Sequence, residues 1–573
     1  MLRRGRPRSF LFLRLIRFLF FVKHVHMHQH GMLLILILII VIPFLVFYLT
    51  KAKEHPKGLV AAALSNMGER FGYYIMNAVL SLFICSKFGV SDTAAGIMFA
   101  VFYFLIYVLS LPGGIIADRT QNYKKTIISG IIVMAIGYCI LSIPVFSGHG
   151  FSWVMVLTVC ALLLIACGNG LFKGNLQAVV GQLYDDFEAE EAKKGPEALA
   201  KARSKRDSGF QIFYVFINVG GVIAPFIAPI IRNWWLGMHG MVYNSQLPKL
   251  CHNYVTGKMT GNDQEILNNL TQNYPQAATD LAGFCNDYIT VFNTGVHFAF
   301  IASVLAMLIS LTIFLCTKKG LPNPVKKVAA VSGETNEGNL SREEREALAK
   351  DVKQRMAGLY AVLGVCVFFW FSFHQNGESL AFFARDFVRT SAIPPEIMQC
   401  INPFFVIILT PIIMWMFAAL ARKGKEISTP KKIAFGMGIA ACAYLFLMLL
   451  CFSMGYDKPS VFLDNPDAES QKVGPWVLIV TYFFLTVAEL FISPLGLSFV
   501  SKIAPKHIQG ICQGLWLSAT AIGNLLILFG PVLYKHMPKL WMCWLVFLVI
   551  CIVAMSIMFG MIKWLEKITA EKQ

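Results

Sequence analysis

Four charged side chains in this sequence sit where charge is expensive. Glu69 and Arg70 stand side by side in residues 61–80, AAALSNMGERFGYYIMNAVL, with Phe71, Tyr73 and Tyr74 close behind. Lys173 lies in GNGLFKGN (168–175) and Glu489 in AELFISPLGLSFVSKIAP (488–505), each deep in an apolar stretch. An ionised group at such depth in a bilayer costs roughly 2.5 kcal/mol or more. It then marks an ion pair locking two helices, or an ion or substrate site facing a wet cavity. Neighbouring helix positions point about 100° apart, which predicts that Glu69 and Arg70 do not simply pair with each other and that each needs a partner on another helix or a water-filled cavity. The plainer alternative is that Arg70 serves only Glu69. Separated cations and anions suit a zwitterion, carboxylate to cation and ammonium to anion, with the attraction strengthened by the low dielectric of a narrow cavity.

The elements that must position these groups are membrane helices. The chain of 573 residues is 56% hydrophobic and only 14% charged, with mean hydropathy +0.61 and recurrent long apolar runs. The bilayer is therefore the expected solvent. The net charge of +18 is not a nucleic-acid footprint: ten Lys/Arg against Glu54 fall in residues 1–57, and most of the rest lie in loops on one side. Fourteen cysteines show no CxxC and no Cys–His metal spacing, so no metal or other cofactor is expected. Most act as small hydrophobes within spans. Cys251 and Cys285 share one loop, and a disulfide between them stays open. No interfacial His/Asp cluster suggests a membrane enzyme, and a sensor built on the long loop is the remaining rival.

From Lys51 onward the apolar runs give twelve spans, near 57–86, 93–117, 124–146, 151–184, 208–231, 290–317, 354–388, 396–421, 431–454, 472–502, 507–534 and 538–566. Lys and Arg follow spans 2, 4, 6 and 8 (Arg119, Lys124 and Lys125; Lys193 through Arg206; Lys318 through Lys327; Arg422 through Lys425), whereas SGHG after span 3 has none. The positive-inside rule puts both ends of this body in the cytoplasm of a multi-pass protein of the cell inner (plasma) membrane. Residues 51–231 with 290–317 form an N-terminal six-helix bundle and 354–573 a C-terminal one. Residues 232–289 are a polar extracytoplasmic loop. Residues 318–353 are a charged cytoplasmic linker with an amphipathic helix in SREEREALAKDVKQR. Residues 1–50 combine a basic leader, HVHMHQH and an aliphatic run. They read as a signal-anchor, an extra span or sequence upstream of the true start; a span there would put the basic leader outside, against the charge rule. Six plus six spans with a charged middle is a transporter layout, with the site at midplane between the halves. A monomer in the lipid bilayer is expected.

Gly113-Gly114-Ile-Ile-Ala-Asp118-Arg119, followed by Lys124-Lys125, resembles the loop motif of the major facilitator superfamily. The resemblance implies a gating motif at Gly114, Asp118 and Arg119 that latches one state of the cycle. ERFGYY resembles the ExxERFxYY signature of the proton-dependent oligopeptide transporter family, and FYVFINVGG (213–221) its FYxxINxG string. GNGLFKGN, FFWFSFHQNGESL (368–380), QCINPFFVIILTPIIMW (399–415), the Glu489 string and GLWLSATAIGN (514–524) resemble the family's spans 4, 7, 8, 10 and 11. The likeness thus covers the whole twelve-span body. It implies an all-α membrane protein of major facilitator fold that carries di- and tripeptides into the cytoplasm with protons.

The expected substrate site is Arg70 and Lys173 from the first half, Glu489 and Ser493 from the second. Asn218 and Asn402 can donate and accept to the peptide backbone, and Tyr73, Tyr74, Tyr107, Trp370 and Trp516 wall the side-chain pockets. Three positions depart from the family pattern. Its first signature acid falls on Asn66, the arginine seven residues after the signature arginine on Asn77, and the acid of span 7 on His374. The last two are thought to pair across the halves and couple protons to gating, and both are replaced together. The expectation is rewiring, with Glu69 as main proton-responsive group beside Arg70, and His374 titrating where the acid was. The bland alternative is a neutral His374 bonded to a carbonyl. Glu378, one turn on, is a candidate partner for His374. Uniport, or carriage of another small zwitterion or anion, is the rival transport reading.

Overall fold

The computed structural model describes residues 29–570 except 91, 146–152, 245, 260–262, 323–341, 378, 390–399, 426, 464 and 466. His24, His26 and His28 of the histidine run, and Glu378, therefore lie outside the described residues. Lipid offers no hydrogen-bond partners, so backbone groups must be satisfied within helices. The chain runs α1 (Gln29–Lys51), α2 (Gly58–Phe88), α3 (Asp92–Val108), α4 (Ser110–Thr120), α5 (Tyr123–Ser142), α6 (Trp153–Ala192) and α7 (Pro196–Met238). Three short helices follow, α8 (Leu247–Val255), α9 (Asp263–Thr271) and α10 (Pro275–Thr279), then α11 (Leu281–Thr317). The second half holds α12 (Arg342–Phe373), α13 (Ser379–Phe387), α14 (Ile401–Arg422), α15 (Thr429–Ser453), α16 (Trp476–Ile503), α17 (Gln509–Leu526), α18 (Phe529–His536) and α19 (Leu540–Ala570), apart from two short turns of helix between α15 and α16. No strand occurs among the described residues.

Eleven helical segments among the described residues are long and apolar enough to cross a membrane, with α3–α4 and α17–α18 each counted as one. Helix α2, which carries Glu69 and Arg70, is not in that set, but its 31 residues span about 46 Å at the α-helical rise. Two bundles result. In the first, α2 packs on α7 and α11, α5 on α6, and α11 on α5 and α7; in the second, α15 packs on α16 and α19, and α12 on α17 and α19. They meet along a seam where α3, α4 and α6 face α17, and α7 faces α14 and α16.

The structure differs from the sequence expectation in three places. Helices α6 and α7 run well past the apolar runs, so residues 185–207 are helix rather than loop for most of their length. Residues 232–289 are not a plain polar loop: α7 continues to Met238, α11 starts at Leu281, and α8–α10 form a cap between them. The apolar side chains of Leu247, Leu250 and Leu267 are buried in that cap, too few to stand out in a polar stretch. The amphipathic helix expected in the linker is not separate, for Arg342 onward runs directly into α12.

Helix α1 packs against both α7 and α14. Its Tyr48 is fully buried and donates a hydrogen bond to the Ile407 carbonyl oxygen at 2.6 Å. A helix that is aliphatic on every side shows no preferred face in sequence, so this docking was not legible there.

Candidate functional site

The α2 charges come first. Arg70 Nε donates to Glu69 Oε2 at 2.5 Å and Nη2 to Oε1 at 2.6 Å, with both side chains almost fully buried. The expectation that the two do not simply pair with each other is overturned, while Glu69 does find a partner on another helix. The 100° offset holds for Cβ directions, but the long arginine side chain bends round the helix and presents its fork to the neighbouring carboxylate. Asn169 Nδ2 on α6 adds a third donor to Glu69 Oε1 at 2.8 Å. The Arg70 guanidinium lies 4.6 Å from the centre of the Tyr73 ring, and Tyr73 donates to Asn77 Oδ1 at 3.0 Å. Asn66, also on α2, is buried.

Between the halves lies a cavity of about 420 Å³. Arg70, Tyr74, Tyr107, Lys173, Asn218, Trp370, His374, Asn402, Glu489, Ser493 and Trp516 all line it. Tyr73 is not among the lining residues and stands behind Arg70 instead. The Lys173 ammonium sits 4.2 Å from the centre of the Tyr107 ring, and no carboxylate pairs with it among the described residues. Across the cavity Glu489 is held by neutral donors: the Tyr214 hydroxyl donates to Oε1, and Asn402 Nδ2 donates to Oε2 at 2.7 Å. Asn402, expected to meet substrate, is committed to Glu489 and to Thr486 Oγ1 at 3.2 Å. Asn218 donates to Tyr214 O, one turn back, at 3.1 Å. Lys173 and Glu489 are thus a cation and an anion without ionic partners among the described residues, on opposite halves, facing one void.

The aromatic walls are set by glycines. A Cβ at Gly496 would lie 2.0 Å from the Trp516 ring, and one at Gly523 2.6 Å from Trp370 Cβ. Those glycines let α16 come close to the Trp516 ring, and α17 close to α12 at Trp370. His374 stacks on Trp370, with centroids 5.2 Å apart and planes at 21°, and meets Tyr103 edge-on. Three contributors were missed in sequence: Tyr214, Asn169 and Gln177. The first two lay inside strings already singled out, FYVFINVGG and GNGLFKGN, and Gln177 follows Lys173 by one helical turn.

At the end of the bundle that bears the Lys/Arg-rich connections, the halves are closed. Asp118 accepts from the Gly510 and Ile511 amides at 3.1 and 2.7 Å, and from the Tyr123 hydroxyl. A carboxylate at the start of α17 satisfies its free N–H groups and its dipole. Arg119 beside it is exposed. Asp207 on α7 binds Lys432 at 2.7 Å and Lys502 at 2.6 Å, and accepts from Ser498 at 2.6 Å. Arg206, read from sequence as a topological charge, is instead buried, paired to Asp185 at 2.6 Å and Glu188 at 2.8 Å, and donates to Ser501 O at 3.2 Å. The cavity lining runs away from this closed end, towards Phe99, Ala100 and exposed Leu528.

Gly114 is part of the closure. A Cβ there would lie 2.3 Å from Gly510 O. Gly114→Ala must push α4 from α17, and overpacking of this kind costs about 1–3 kcal/mol. Uptake is expected to fall roughly 10-fold with membrane yield unchanged, as read by transport per milligram of inserted protein.

Two helical bundles with an ion-lined cavity on their seam, closed at one end, define a membrane transporter of major facilitator type. The chain belongs to the POT family, whose sequence profile matches residues 124–328 and 323–540. It is 26% identical over 493 residues to the peptide transporter YePEPT of Yersinia enterocolitica subsp. palearctica, covering 82% of this chain and 86% of that one. It is 27% identical over 485 residues to dipeptide and tripeptide permease B of Edwardsiella piscicida, covering 82% and 85%. Among solved structures, a POT family transporter in complex with a thioalcohol-conjugated peptide aligns with TM-score 0.54 at 20% identity, over 90% of this chain and 97% of that chain. The crystal structure of the peptide transporter POT in complex with sulfate aligns with TM-score 0.53 at 21% identity, over 90% and 96%. These structural likenesses carry the fold.

Proposed function

We propose that this protein is a proton-coupled symporter that brings di- and tripeptides into the cytoplasm by alternating access through a twelve-span body. One observation carries the reading: Lys173 and Glu489, without ionic partners among the described residues, face a single cavity from opposite halves. Its volume lies in the range of small-molecule sites. A peptide spanning it places its carboxylate at Lys173 and its ammonium at Glu489, so the substrate itself draws the halves together. The names of the relatives support peptides as the cargo.

Glu69 supplies the coupling. While it is ionised, it neutralises Arg70 and occupies the guanidinium's Nε and Nη2 donors. Protonation of Glu69 frees the guanidinium, and a peptide carboxylate can take the vacated place. Proton and peptide then bind together, and each favours the other. His374, lining the same cavity near Lys173, is the second proton-responsive group in this reading. The Lys/Arg-rich end is cytoplasmic by the positive-inside rule, so the arrangement with Asp118 and Asp207 engaged is the outward-facing one.

Uptake of dialanine into proteoliposomes, with and without an inward pH gradient, tests the proposal. Wild type should accumulate peptide only with the gradient. Glu69→Gln should abolish gradient-driven accumulation while retaining counterflow exchange. His374→Gln should weaken the pH response without removing it. Full pH dependence in His374→Gln would remove that residue from the coupling set, and accumulation by wild type without a gradient would favour uniport.

A further inference from the structure

The cap formed by α8–α10 holds a pair of cysteines that the transport reading does not use. Cys251 is on the buried face of α8, beside Leu247, Leu250 and His252. Cys285 is in the first turns of α11, just after the Asp280 side chain accepts from the Gly283 amide at 2.8 Å. Both residues are fully buried free thiols in this structure, and they interact with one another where α8 packs along α11. Helix α8 also rests on the end of α2, where His252 Nε2 meets Ser86 O at 2.6 Å.

We propose that Cys251 and Cys285 form a disulfide in the mature protein, fastening the cap to α11. The site rests on the reading of residues 232–289 as extracytoplasmic, where disulfides form and persist. Two thiols each give up a proton and an electron as the S–S bond forms. The two electrons and two protons pass to the disulfide of an extracytoplasmic dithiol oxidoreductase, which leaves as its dithiol. Helices of nine, nine and five residues have little stability alone. A cross-link closing a loop of this length gives the cap what its small core does not. The cap that holds Cys251 packs on α2 and α11 of the first half, so the bond leaves the moving seam free.

Peptide mapping of membrane-expressed protein, alkylated in denaturant without reductant, tests the pairing. The expected product is one linked pair of peptides containing Cys251 and Cys285, separated by reductant. Recovery of both residues in alkylated form would overturn the proposal. Reductant should lower the melting temperature of wild type by about 5 °C, leave that of Cys251→Ser unchanged, and alter the initial rate of dialanine uptake less than about twofold. Orientation is read separately. Lys258 in the cap is exposed, and Lys258→Cys in a Cys251→Ser/Cys285→Ser background should react with an impermeant maleimide on intact cells. Reaction only after permeabilisation would overturn the orientation and with it the proposal. Outside labelling combined with alkylated native thiols would overturn the pairing alone.

Discussion

Glu489→Gln is expected to lower kcat/KM for dialanine by roughly 10- to 100-fold, the worth of one charge-assisted hydrogen bond of about 1.5–3 kcal/mol. The amide keeps the shape and can still receive the Tyr214 hydroxyl, so a collapsed site is not the cause. What is lost is the anion that an amino terminus needs. N-acetyl-dialanine, which has no ammonium, should be carried poorly and equally by wild type and variant. Lys173→Met should give the mirror pattern: a similar loss for dialanine, and none between wild type and variant for a C-terminal amide. Equal losses for blocked and free peptides would show that the two residues support the helices rather than the substrate.

The charges behind that prediction were legible in sequence because each is a lone ionised group in an apolar helix, a placement that survives only with a function or a partner. Glu69 and Arg70 were legible as a site but misread as geometry. A rule about Cβ directions says nothing of where a flexible guanidinium ends. Tyr214, Asn169 and Gln177 were harder to see. Uncharged polar side chains are tolerated in spans for many reasons, and only the fold shows that Tyr214 and Asn402 converge on one carboxylate from α7 and α14. Arg206 and Asp207 were hidden by their setting. Basic residues beyond an apolar run read as topology until α7 is seen to continue through them into the seam. The docking of α1 had no signal at all, for its aliphatic surface would suit lipid or protein equally.

Asp207 makes the strongest claim about motion. Its carboxylate joins α7 of the first half to Lys432 on α15 and Lys502 on α16 of the second. Asp207→Asn removes the anion and leaves two ammonium groups facing each other in a poorly solvated place. Breaking one side of a buried ion pair costs about 3 kcal/mol or more, and here the cost falls only on the arrangement in which the halves touch. Once the seam opens, water solvates all three side chains and the substitution is nearly silent. The equilibrium between closed and open cytoplasmic ends should therefore move roughly 100-fold towards open, since about 1.4 kcal/mol is a factor of ten. Spin labels at Ala200→Cys and Lys567→Cys, one on each half at that end, should report a short distance in wild type and a longer one in Asp207→Asn. Peptide uptake should slow at the step that returns the empty carrier to the outside, while counterflow of preloaded peptide suffers less. A variant whose label distance stays short, with uptake intact, would show that the amides holding Asp118 close the seam without help from Asp207.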